Sequence, residues 1–158
     1  MMHWLRRACS LSVLGVAVAA TPFVLSSVPA RAFLHDTPDI EGGRAIYAAR
    51  CASCHGANLE GQPDWQSARE DGTYPAPPHD ETGHTWHHGD AMLRDYIRRG
   101  GQAVLDDMGV DFTSGMPGFG DELTEDDIEA VLAYIRSTWP DRIRAAQAER
   151  SQLEAGSP

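Results

Sequence analysis

Two cysteines two residues apart, with a histidine directly behind the second, constrain this chain more than any other feature. The stretch reads YAARCASCHGANLEG over 47–61 and holds Cys51, Cys54 and His55. Two thiols one helical turn apart can bind zinc, cycle as a redox disulfide, or join a porphyrin edge through two thioether bonds. Each choice makes a different demand on the remaining residues. Zinc needs more ligands, a thioredoxin-like pair needs a βαβ setting, and a porphyrin needs a shell of chain to wrap it.

The N-terminal residues say where such a site would work. MMHWLRR is short and basic, LSVLGVAVAATPFVLSSV is apolar, and Ala30-Arg31-Ala32 makes an Ala-x-Ala pattern. That layout predicts a secretory signal over 1–32, cleaved after Ala32, and a periplasmic product. Pro22, Ser26, Ser27 and Pro29 interrupt the apolar run. It falls short of the ~20 apolar residues of a spanning helix, so no stable membrane insertion is expected after cleavage. Cleavage removes Arg6, Arg7 and Arg31, leaving ten of the 13 basic residues, all arginine, against all 23 acids: a net charge of −13. Such a surface repels nucleic acid and suits a basic docking patch on a partner, although solubility alone would also explain it. Cys9 leaves with the signal, so Cys51 and Cys54 are the remaining cysteines, too few for a disulfide framework.

Along the exported chain, 33–38 reads as a lead-in. Asp39 can cap a helix in which Ile40, Gly43, Ile46 and Tyr47 recur at helical spacing. Gly42-Gly43 costs that helix stability, which suggests a close approach by another element. Residues 56–89 form a long loop rich in Gly, Pro, Asp and His. Asp90 can cap a second helix carrying Met92, Leu93, Tyr96 and Ile97, stopped by Gly100. Residues 101–122 read mostly as loop. Thr124 and Asp127 make a capping-box start for a third helix, with Ile128, Val131, Leu132 and Ile135 on one face and Trp139-Pro140 closing it. The polar tail 140–158 has helix-forming residues but almost no apolar stripe and is expected to be a solvated or frayed extension. So few large side chains stabilise a domain of this size poorly unless a flat apolar cofactor completes the core.

Covalent haem meets these demands. His55, carried beneath a ring held by the two thioethers, would ligate iron from one side, and Gly56 lets the chain turn away. Zinc would need ligands from His79, His84, His87 or His88, and a second Cys-x-x-Cys is absent. The opposite iron ligand is then sought among Met92, Met108, Met116 and the four histidines. Met92 lies on the apolar face of its helix, where core packing is its expected role. Met116 lies in SGMPGFG, a turn-rich loop stiffened by Pro117, from which a thioether can reach iron without moving a helix.

The order of these motifs resembles the class I, monohaem bacterial cytochrome c family. CASCHG follows the first helix, and GMPGFGDELTEDDIEAVLAYIR joins a methionine loop to the closing helix. The resemblance covers about 39–139. It implies an all-α, cytochrome c-like fold with three main helices and long loops wrapped around one covalently attached haem c. It implies thioethers at Cys51 and Cys54, axial ligands His55 and Met116, and a first-to-last helix crossing at Gly43 and Tyr134. It also implies a proline carbonyl accepting the second nitrogen of His55. Pro75, Pro77 and Pro78 are candidates, with Pro78 favoured. Trp86 or Tyr74 would donate to a haem propionate or simply pack.

With both axial positions filled, the expected role is one-electron transfer between redox proteins rather than catalysis. The alternatives are a fixed haem subunit of a larger redox complex, or a weak peroxidase or small-ligand-binding haem protein. The histidines of DETGHTWHHGD and the neighbouring His79 read either as a second metal site or as a polar loop covering the haem edge.

Overall fold

The computed structural model describes residues 38–156. The predicted signal, its cleavage site and residues 33–37 of the lead-in lie outside the described residues. Among the described residues every regular element is helical: α1 (Ile40–Arg50), α2 (Ala52–His55), α3 (Asp90–Arg99), α4 (Gly101–Asp107), α5 (Glu125–Ser137) and α6 (Asp141–Ala155). A 3₁₀ turn, Thr85–His87, sits in the long loop, and one isolated bridge pairs Thr73 with Thr113. No helix among the described residues is long and apolar enough to cross a membrane.

Helix α1 starts as expected, with the Asp39 side chain accepting from the Gly42 N–H at 2.8 Å. Its main partner is α5. A Cβ on Gly43 would overlap the carbonyl of Ala130, so the two backbones touch at that point. At this crossing Gly43 of α1 meets the Ala130 backbone, and Tyr134 of α5 rests against Tyr47 of α1 with ring centroids 5.4 Å apart. One helical turn separates Ala130 from Tyr134. The glycine fits the bare backbone while the aromatic fills the space one turn along.

The capping box of α5 forms in full. Thr124 Oγ1 accepts from the Asp127 N–H, and the Asp127 carboxylate accepts from the Thr124 N–H. Ile128, Val131, Leu132 and Ile135 are all buried, as their spacing predicts. Each such aliphatic side chain contributes ~2 kcal/mol of burial. Val131 and Ile135 join Tyr47, Leu59, Trp139 and Ile143 in one cluster, and Ile128 and Leu132 join Leu93 in another.

Residues 101–122 are mostly loop, as expected, but begin with a short helix: Gly100, at φ +85°, ends α3 and starts α4, which buries Val104 and Leu105. Two expectations change. Asp90 does not cap α3; Gly89 holds the cap position and Asp90 is the first helical residue. The tail is not frayed. Trp139 is buried and its Nε1 donates to the His79 carbonyl at 2.7 Å, and α6 continues from it, burying Ile143 and Gln147. Sequence periodicity missed α6 because it docks through one apolar residue and a set of polar contacts.

Candidate functional site

Cys51 ends α1, and α2 carries Cys54 and His55 on the next turn. Gly56 follows at φ +82°, a conformation glycine adopts without strain. The three side chains differ in exposure. Cys54 is exposed, Cys51 is half-buried against the Tyr47–Leu59 cluster, and His55 is 8 % exposed. Neither cysteine is in a disulfide. Burial, with the neighbouring Cys54 adding to it, pushes the Cys51 thiol up to about 11. A redox-active Cys-x-x-Cys needs the opposite shift, toward thiolate at neutral pH.

His55 is oriented from behind. Its Nδ1 lies 2.8 Å from the Pro77 carbonyl oxygen. That oxygen can only accept, so Nδ1 carries the proton and Nε2 keeps its lone pair, the tautomer a metal requires. Burial holds the His55 pKa below its ordinary value, partly opposed by the bond to Pro77. The imidazole is therefore neutral and ready to ligate at physiological pH. The proline differs from the favoured one: the Pro78 carbonyl instead accepts from Thr85 Oγ1 at 3.4 Å. Tyr47 braces the same turn, its hydroxyl donating to the carbonyls of His55 (3.3 Å) and Gly56 (3.0 Å).

The loop after the motif folds back to hold this arrangement. Gly61 N donates to His55 O at 2.8 Å, Gln62 N to Ala76 O at 2.9 Å, and His79 N to Leu59 O at 2.8 Å. His79 thereby stacks on the His55 ring, centroids 3.9 Å apart. Trp86 packs against the same cluster as Cys51 and stacks on His87. His79 Nδ1 and Trp86 Nε1 are buried without a hydrogen-bond partner. Such atoms are costly unless something satisfies them. Two orphaned nitrogens beside the cysteine motif fit a group that brings its own carboxylates. The role of His79 was not separable in sequence from that of its three neighbours, since only the fold lays its ring on His55.

Met116 is half-buried, and its loop is fastened to the end of α3. Gly101 N donates to Met116 O at 3.0 Å, Phe119 N to Ile97 O at 2.8 Å, and Gly120 N to Arg98 O at 3.0 Å. Ser114 Oγ accepts from Met116 N at 3.2 Å. Tyr74 stacks on Phe112 at 4.1 Å, where the long loop meets the approach to Met116. The other methionines are placed differently: Met108 is exposed, and Met92 is half-buried and lines an open cleft of about 500 Å³ with it. Met92 is thus less deeply packed than expected for a core residue. In the histidine loop, His84 stacks on Trp65 and meets His88 edge to face at 5.4 Å. Among the described residues no three His, Cys, Asp or Glu side chains converge as a metal-binding set.

An all-helical shell around a Cys-x-x-Cys-His turn, with the histidine poised to ligate, defines a protein built to hold c-type haem. A family model described as Cytochrome c matches residues 40–139. The chain belongs to the cytochrome c family. Membership implies a bound haem c, and it fits a role in electron transfer. No curated protein and no solved structure matches the chain.

Proposed function

We propose that this protein is an exported, periplasmic one-electron carrier with a single haem c. Cys51 and Cys54 would hold the haem through thioether links, and His55 and Met116 would ligate its iron. The observation that carries this reading is the 2.8 Å contact of His55 Nδ1 with the Pro77 carbonyl, which leaves Nε2 as a fixed, neutral donor. Haem iron supplies the one-electron redox chemistry, and the polypeptide sets its potential and its docking. The chain's own residues do the rest. Pro77 and Tyr47 hold the proximal turn rigid, the end of α3 holds the methionine loop, and His79 Nδ1 and Trp86 Nε1 are available to the propionates. Tyr74, stacked on Phe112, is assigned to packing. Ligation by both His55 and Met116 would leave the iron no position open for substrate, so the protein is read as a carrier and not an enzyme. Its partners are redox proteins, and its acidic surface suits a basic docking patch on them.

The test is a pyridine haemochrome spectrum with the intact mass of exported protein, followed by the spectrum of Met116→Ala. One covalent haem per chain starting at Phe33, and loss of the iron–thioether charge-transfer band in the variant, are expected. A colourless, folded product with free thiols would overturn the haem assignment. An unchanged Met116→Ala spectrum would overturn the ligand assignment.

A further inference from the structure

Helix α6 lies wholly beyond residues 40–139 and contributes no candidate haem ligand. Its polar side chains converge on the start of α3. Ser151 Oγ accepts from Asp90 N at 3.1 Å, and the two carboxylate oxygens of Glu154 accept from Ala91 N (2.8 Å) and Met92 N (3.0 Å). These are the N–H groups every helix leaves unpaired at its first turn. Gly89, in the cap position, has no side chain to serve them, and a Cβ there would overlap the Glu154 carboxylate. Gln147, buried on α6, donates to Asp90 Oδ1 at 2.8 Å and to His88 O at 3.3 Å. Arg136 of α5 pairs with the same aspartate oxygen at 2.6 Å.

The other end of α3 carries the methionine loop. Besides the three backbone bonds from Gly101, Phe119 and Gly120, Gly100 lies against the Gly118 nitrogen and the Met116 carbonyl so closely that a Cβ would not fit. A ten-residue helix is a rod of about 15 Å, and displacement of one end moves the other.

We propose that α6 is a clamp on α3 and, through it, on Met116, with Glu154 and Ser151 as positioning residues for the methionine ligand. The inference rests on the axial role of Met116. A loosened clamp lets the Met116 loop leave its ligating position more often, so a small exogenous ligand enters faster.

The experiment uses the full haem-loaded protein and the double variant Glu154→Ala/Ser151→Ala, with Glu154→Gln, which keeps one acceptor, as the conservative comparison. Displacement of methionine by imidazole is expected to speed up roughly tenfold in the double variant, the scale of a lost helix cap, with Glu154→Gln in between. Hydrogen exchange at the Gly101, Phe119 and Gly120 amides accelerates as well, while exchange at Gly61, which bonds His55 O, does not. Wild-type displacement and exchange rates in the double variant would overturn the clamp. If Met116→Ala shows that methionine is not a ligand, the exchange data alone decide whether α6 holds the loop.

Discussion

At the scale of single residues, one atom more or less decides whether helices meet or a ligand is aimed. Gly43 has no room for a side chain, because the Ala130 carbonyl occupies the space a Cβ would take. Gly43→Ala is expected to destabilise the protein by about 3 kcal/mol, since backbone cannot yield as a flexible side chain can. A denaturant titration showing a lower midpoint at unchanged slope checks it. Sequence alone pointed to that glycine, because a Gly-Gly pair in a helix needs a reason. It did not identify the proline. Carbonyls of successive residues in extended chain point to opposite sides. Pro77 and Pro78 are neighbours, and which one faces His55 depends on how Leu59 and Ala76 anchor the loop.

At the scale of elements, α5 and α6 show two ways a helix is specified. The first is written locally. Its capping box and apolar stripe are both visible in the sequence, and both are present. Thr124→Ala is expected to cost about 1 kcal/mol, read as a lower thermal midpoint. The haem-linked spectrum should not change, because the Thr124 hydroxyl is engaged with Asp127 at the start of α5. Helix α6 is specified from a distance. Trp139 anchors its start, Ile143 docks one turn on, and Gln147, Ser151 and Glu154 find partners about 60 residues earlier in the chain. A periodicity search weighs apolar residues, so a helix held by polar side chains reads as solvated.

At the scale of the whole molecule, the histidine loop and α6 make stability depend on pH. Burial lowers the pKa of His84 and of His88, with repulsion from neighbouring histidines adding to it. The unfolded chain then binds more protons than the folded one between the ordinary histidine value and the lowered ones. Stability is full above that ordinary value and is lost as pH falls through the window below it. The thermal midpoint is expected to drop as pH falls below the unperturbed histidine pKa of about 6.5. His84→Gln/His88→Gln should flatten that drop. A slope unchanged in the double variant would assign the acid sensitivity elsewhere. His88 is the more telling of the two, because its carbonyl is bonded by Gln147 of α6.

The sequence by itself determined the Cys-x-x-Cys-His motif, the helical class, the α5 cap and stripe, and the need for close packing at Gly43. All of these rest on residues within a turn or two of one another, where spacing fixes geometry. Only the tertiary structure decided that Pro77 receives His55, that the His79 ring lies on it, and that α6 folds back onto α3. Those contacts join residues 22 to 63 positions apart. Their formation depends on loop closure and on which of several chemically equivalent side chains the fold brings into reach.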